Sequence, residues 1–184
     1  RDVERSRGLG DVYKRQYEDN YTELEYLEGT GTQYINTGIK TKQSLRVECT
    51  FSGNQITTLL FGGRKNNGRH SLVWGCNNTT YAYSGFGGAT LIRSCNVNTV
   101  DGNRHTVALS NEILTIDNIS QEQPERGTFT EFYNIYLFTW NNSGVADGRC
   151  FKGKVYEFKI YDSNVLIQHL VPTLDSNNTP CMYD

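Results

Sequence analysis

Four groups of residues in this chain have types and spacing that could do chemistry. His70, His105 and His169 are the candidates for a nucleophile-base-acid site. His105 belongs to a hairpin segment where its side chain orders local backbone, and His169 lies in an apolar strand where a satisfied, half-buried histidine is the common case. Neither is expected to be catalytic without a nucleophile and an orienting acid. Glu157 and Asp162 are the carboxylate pair to weigh for glycoside hydrolysis. A retaining mechanism needs two carboxyls on one face about 5 Å apart. An odd separation puts these two on opposite faces of a continuous strand, and a turn begins between them. Asp101 and Asp147, each followed by glycine, are loop carboxylates of the kind calcium takes, although Asp-Gly also simply makes turns. Trp74, Tyr81, Tyr83 and Trp140 carry amphipathic rings able to stack on a sugar, with Arg64, Asn77 and Asn78 as partners for its hydroxyls. Core packing is the competing use of large aromatics in strands.

These groups have to be positioned by strands. With 184 residues, 18 Gly, 3 Pro and 12 Tyr, the composition suits one domain of short strands joined by glycine and asparagine turns. Lys154 to Tyr161 and Val165 to Val171 are two β-rich runs broken by Asp162-Ser163-Asn164, a hairpin in which Tyr156, Phe158 and Ile160 share one face and Glu157 and Lys159 the other. Leu45, Val47, Cys49 and Phe51 alternate with Arg46, Glu48 and Thr50, a half-buried strand. Further strands are expected on both sides of the Gly-Thr-Gly bend in Leu24 to Ile39, at Thr58 to Gly63, Ser71 to Cys76, Thr80 to Phe86, His105 to Ser110 and Ile113 to Asp117, with a polar loop at Arg64 to Arg69. Asn134 to Trp140 is apolar on both faces, as in a strand covered on both sides or one with a binding face. Roughly ten to twelve strands without helical stretches leave a sandwich or a barrel.

The formal charge is −2, with residues 1–16 carrying +2 and the remainder −4. No basic stripe runs through the body, so nucleic acid is not an expected partner. No apolar run approaches the roughly 20 residues of a membrane helix. Cys49, Cys76, Cys95, Cys150 and Cys181 are widely spaced, with no Cys-x-x-Cys pair for zinc, and they require no disulfide. Met182 is the only methionine, so the chain reads as processed or as a fragment. Residues 1–16, ending Ser6-Arg7-Gly8-Leu9-Gly10-Asp11-Val12-Tyr13-Lys14-Arg15-Gln16, resemble a translated sequencing-adapter tail of the kind found on metagenomic reading frames, and are set apart as a disordered or artefactual tail.

Three segments, in order, resemble the laminin-G-like branch of the concanavalin A-like lectin and glucanase superfamily. They are Tyr26-Leu27-Glu28-Gly29-Thr30-Gly31-Thr32-Gln33-Tyr34-Ile35-Asn36-Thr37-Gly38, similar to the opening of versions from gut bacteria and their phages; Asp101-Gly102-Asn103-Arg104-His105-Thr106-Val107-Ala108-Leu109, similar to Asp-Gly-x-Trp-His-x-Val-Ala with arginine where tryptophan is usual; and Phe151 to Tyr161, similar to the late strand before the closing turn. The resemblance implies an all-β, two-sheet antiparallel jelly roll over 17–184, cut short at its C-terminus before a last strand. Relatives often hold one calcium, which would make Asp101 and Asp147 the metal candidates. The Glu-x-Asp-x-Glu strand of the superfamily's retaining glucanases is absent. The reading is therefore a non-catalytic recognition module for carbohydrate or a protein partner, within a multidomain surface, secreted or phage structural protein. A purely architectural spacer and a degenerate glycoside hydrolase are the alternatives.

Overall fold

A computed structural model describes residues 21–65, 71–78, 81–86, 91–93, 95–122 and 132–184, with backbone alone for 71, 77–78, 81–86 and 91–93. The tail at 1–16 and most of the loop expected at Arg64 to Arg69 lie outside the described residues. The strands in chain order are β1 (Thr22–Glu23), β2 (Leu27–Thr30), β3 (Ile35–Lys40), β4 (Leu45–Ser52), β5 (Thr58–Arg64), β6 (Ser71–Asn78), β7 (Tyr81–Phe86), β8 (Leu91–Arg93), β9 (Arg104–Leu109), β10 (Ile113–Ile116), β11 (Ile119–Glu122), β12 (Asn134–Leu137), β13 (Asn141–Asn142), β14 (Val145–Ala146), β15 (Lys152–Asp162), β16 (Val165–Leu174) and β17 (Pro180–Tyr183). They outnumber the ten to twelve expected because several, such as β1, β13 and β14, have two residues, too few to show alternation.

The strands form two sheets. The first has the order β1-β16-β15-β4-β9-β10-β11, with β17 beside β16 and β2 beside β15; the second has the order β14-β13-β5-β6-β7-β8, with β12 joining β5 to β3. Pairing is antiparallel except for β13 on β5 and a single parallel bridge from Leu59 to Cys150. Among the described residues there is no helix, so none long and apolar enough to cross a membrane.

The alternation read in β4 holds: Leu45, Val47, Cys49 and Phe51 point into the core, and β9 sets Leu109, Val107 and His105 opposite Val47, Cys49 and Phe51. From the second sheet come Phe61, Leu72, Trp74, Ile135 and Leu137. Trp74 lies 5.0 Å from Phe51 and 6.4 Å from Phe61, and Phe61 meets Phe158 edge-on at 5.6 Å, so aromatic contacts tie the two sheets together. Each such buried ring contributes about 1.5–3 kcal/mol.

The hairpin of β15 and β16 is as expected: Ser163 and Asn164 both take positive φ, the pattern of a two-residue turn matching strand twist. Two features depart from the alternation. A β-bulge between Val155 and Glu157 adds one residue to β15, so Tyr156, expected inward with Phe158 and Ile160, is turned outward, and its hydroxyl lies 3.0 Å from Ser52 Oγ. The strand expected to reach Trp140 ends at Leu137, because Phe138 takes φ 68. That break turns Phe138 inward onto Phe151, with ring centroids 6.4 Å apart.

Candidate ligand-binding face

The outer face of the second sheet is defined by register. Asn36 pairs with Tyr136, Tyr136 with Gly62, Gly62 with Val73 and Val73 with Gly85, a row crossing five strands. Directly paired residues share a face. Their neighbours Ile135, Leu137, Leu72 and Trp74 face the core, so this row faces out. Gly62 has φ 143, and a Cβ there would lie 2.3 Å from the Leu72 carbonyl oxygen, so this position needs glycine. Glycine on either side of Val73 leaves the row without side chains at two of its five positions. Tyr136, Gly62 and Val73 are themselves buried, Val73 packing with Leu59 and Trp140, so among the described residues only the rim of the row is open.

At the rim of this face Tyr34 is 47% exposed and stacks on Tyr136, with ring centroids 4.7 Å apart and planes within 20°. Tyr136 is buried beneath it, so the half-exposed Tyr34 ring is supported on one side. Beside the pair, Asn36 Oδ1 accepts hydrogen bonds from Asn134 Nδ2 at 3.0 Å and from the Gly38 amide at 3.0 Å. The result is an aromatic platform next to fixed amides. Its members are far apart in sequence and no motif marks them; Tyr34 did lie within the opening segment that resembled known relatives, which was the available signal.

The residues expected from the sequence to bind ligand all lie on or beside this sheet, but they are not equally available. Trp74 is fully buried and faces the core, and Trp140 is 1% exposed. Trp140 packs on Leu59 and Val73 and donates from Nε1 to the Trp74 carbonyl at 2.8 Å. Both rings are structural, which corrects the expectation that they stack on sugar; sheet interiors take large aromatics for the area they bury. Arg64 is half-buried, its guanidinium 5.4 Å from the Trp140 ring, with Nε donating to Asn142 Oδ1 at 3.3 Å. Tyr81 and Tyr83 are in β7, and Asn77 and Asn78 extend β6 beyond the end expected at Cys76. In register Tyr83 opposes Gly75 and Tyr81 opposes Asn78; their side chains lie outside the described residues.

The metal candidates are committed elsewhere. Asp101 Oδ1 lies 2.9 Å from His105 Nε2 and accepts the Asn103 amide at 2.8 Å, while Asp117 Oδ2 lies 2.5 Å from His105 Nδ1. The hydrogen bond from His105 is the main reason the Asp101 carboxyl is held down to about 2. Burial alone would lower the His105 value, but its bonds to Asp117 and Asp101 outweigh this and raise it. Asp147 is bound by Arg149 through Nε at 3.0 Å and Nη2 at 2.9 Å, which lowers its pKa. Among the described residues no three His, Cys, Asp or Glu side chains come together as a metal site. Neither aspartate presents a free carboxylate, so this arrangement does not fit calcium.

The first sheet carries paired polar groups on the outer side of β4, β9 and β15, while Val165, Leu166 and Ile167 of β16 and Ile113 and Ile119 of β10 and β11 are exposed apolar side chains. Arg46 pairs with Glu48 and lies 4.1 Å over the Tyr161 ring, whose hydroxyl donates to Glu48 Oε2 at 3.1 Å. Arg104 lies 3.6 Å over Tyr156 and pairs with Glu25 at 2.9 Å; Lys154 lies 3.9 Å over Tyr26. Glu157 Oε1 is 2.7 Å from both Lys159 Nζ and His169 Nε2. Burial opposes ionisation of Glu157, yet these two partners hold its pKa below the usual value. Lys42 and Ser44 do the same for Asp162, at 2.5 and 2.6 Å.

No protein-family model matches the sequence, and no curated protein sequence matches it. Solved structures do match in fold. Domains LG4-5 of the mouse laminin α1 chain align at 15% identity and TM-score 0.57 over 80% of this chain, which spans 44% of that two-domain fragment. The Ruminococcus gnavus IT-sialidase module CBM40, solved bound to α2,3 sialyllactose, aligns at 14% identity and TM-score 0.57, covering 80% of this chain and 93% of that one. Domain 4 of AbnA, a GH43 extracellular arabinanase from Geobacillus stearothermophilus solved with arabinotriose, aligns at 17% identity and TM-score 0.54, covering 80% and 76%. Two antiparallel-dominated sheets packed face to face, together with these likenesses, show that the chain has the laminin-G-like jelly-roll fold of the concanavalin A-like sandwiches.

Proposed function

We propose that this chain is a non-catalytic carbohydrate-recognition module that holds a sugar on the outer face of its second sheet. The observation that carries this reading is the exposed Tyr34 ring, stacked on Tyr136 beside the Asn36-Asn134 amide pair. A rigid ring offers an apolar surface to the C–H face of a pyranose or furanose, and fixed amides hydrogen-bond its hydroxyls. Arg64, Tyr81, Tyr83, Asn77 and Asn78, from strands of the same sheet, are proposed to extend the contact along it. Support comes from the fold neighbours, two of which were solved with oligosaccharides.

The two carboxylates weighed for catalysis support the non-catalytic reading. A glycosidase acid needs a raised pKa, whereas Glu157 and Asp162 are both held low by cations or hydroxyls. Proteins that present such modules are commonly secreted or exposed at a surface, and we place this chain in that setting, as part of a larger protein. The first sheet's outer face, lined by paired Lys, Glu and Thr, suits a spacer role; the open Tyr34 platform favours recognition over the purely architectural alternative.

The test is a glycan-array screen of the full chain and of Tyr34→Ala. A saturable hit that the substitution removes is the expected result. An empty array from protein shown by circular dichroism to be folded would overturn the reading.

A further inference from the structure

Tyr34 has a second neighbour besides the sheet face. It stands at the mouth of an open cleft of about 490 Å³, between the turn after β2 and the strand β17. The walls are Leu27, Ile35, Phe138 and Met182, and the polar groups at the rim are Glu28 and Gln33. We propose that this cleft takes an apolar substituent, an aryl or short acyl group, carried by a glycan whose sugar ring lies on Tyr34. The proposal rests on the preceding reading of the sheet face as sugar-binding.

The cleft is built rather than left over. Its floor is the Phe138 ring, which approaches β2 at Gly29; a Cβ at Gly29 would lie 2.6 Å from Phe138 Cδ1 and 2.7 Å from the Phe151 carbonyl oxygen. Phe138 itself is held at φ 68, a costly conformation for a bulky aromatic, and its carbonyl accepts the Phe151 amide at 2.7 Å. Strained residues of this kind cluster where a surface is pre-shaped for a ligand. The rim is fixed as well, because Gln33 Oε1 accepts from the Thr30 amide at 3.0 Å and the Thr30 hydroxyl at 2.7 Å.

Three properties select the occupant. The volume lies within the range of small-molecule sites and is too small for a helix. The lining is mostly aliphatic and aromatic with one charged group, Glu28, so neither a bare sugar nor an anion would recover its hydrogen bonds there. Tyr34 belongs to both the cleft and the platform, so one molecule with a sugar end and an apolar end spans both.

Met182 lines the cleft and is the only methionine of the chain. Protein labelled with ¹³C at the methionine methyl therefore carries a single reporter there. Matched methyl and p-nitrophenyl glycosides of common hexopyranoses and arabinofuranose serve as probes. The p-nitrophenyl compound is expected to bind about tenfold more tightly than its methyl partner, equivalent to about 1.4 kcal/mol, and to shift the Met182 resonance saturably. Leu27→Phe, which narrows the cleft, is expected to remove that advantage while methyl-glycoside affinity stays the same. If that variant fails to fold, competition by free p-nitrophenol for the wild-type Met182 shift replaces it. Equal affinities with an unmoved Met182 signal would overturn the inference and leave the sugar reading standing. Saturable Met182 shifts from p-nitrophenol, with no binding of any methyl glycoside or array glycan, would overturn the sugar reading and with it the paired ligand.

Discussion

The two outer faces of the sandwich draw on similar residues, tyrosine, arginine, lysine, asparagine and glutamate, and differ in what those residues have left to offer. On the first sheet, Tyr26, Tyr156 and Tyr161 each have a cation over the ring, and Glu48 and Glu157 each have two side-chain partners. On the second sheet Tyr34 is 47% exposed and, among the described residues, stacks on Tyr136 alone, at the rim of a row whose middle, Tyr136, Gly62 and Val73, is buried. A ligand arriving at the first face must break existing interactions, and at the rim of the second it meets the exposed Tyr34 ring. Availability, more than residue type, separates a recognition face from a solvated one.

The comparison can be broken or sharpened in four ways. Phe158 lies under the first face and touches Phe61 of the second sheet. Phe158→Ala should cost about 3–5 kcal/mol in urea unfolding and degrade both faces together; loss of one face alone would show that they are not supported by a common core. Tyr34→Ala should lower affinity for any array-identified glycan by about tenfold or more while changing stability by less than about 1 kcal/mol. Its control, Tyr161→Ala on the opposite face, should leave that affinity unchanged, and an equal loss from both would erase the distinction.

The third test uses pH. His105 has a folded-state value above its ordinary 6.5, so its contribution to stability is complete below that value and is lost as pH rises through the raised one. Asp101 is depressed from 3.8 to about 2, so its contribution is present above 3.8 and is lost as pH falls through about 2. Melting temperature from this pair should therefore be highest between about 4 and 6.5 and decline on the alkaline side. His105→Gln should flatten the alkaline decline, and an unchanged slope would show that the Asp101-His105-Asp117 bridge does not respond to pH. The smallest effect is expected from Arg46→Ala, which removes one member of a half-buried surface pair and its contact with the Tyr161 ring and should cost about 1 kcal/mol by thermal unfolding, and less at high salt.

Much of the fold was readable because alternation is a local signal. Leu45 to Phe51 and the turn at Ser163-Asn164 could be placed from neighbouring residues alone, and the ordered resemblance supplied the two-sheet arrangement. Tyr156 leaves its expected face because of a bulge, and the strand expected to reach Trp140 stops at Leu137 because Phe138 is left-handed; neither irregularity leaves a mark in the alternating pattern. The site was harder to read. Trp74 and Trp140 looked suited to stacking by type, but the opposing sheet and the segment after β12 bury them. Tyr34 and Tyr136 acquire meaning only through pairing of β3 with β12, a long-range contact that local pattern cannot reveal.

That pairing has a kinetic side. The hydrogen bond from Asn134 to Asn36 closes 98 residues of chain, whereas the β9-β10 and β15-β16 hairpins close over only a few. Loop-closure entropy disfavours early formation of the longer contact. Pulse-labelled amide exchange during refolding should therefore protect Ile113–Ile116 before Ile35–Lys40; the reverse order would contradict this expectation. During synthesis, the Tyr34 platform cannot exist until β12 has left the ribosome, so a nascent chain would hold its early strands before it had anything with which to recognise a partner.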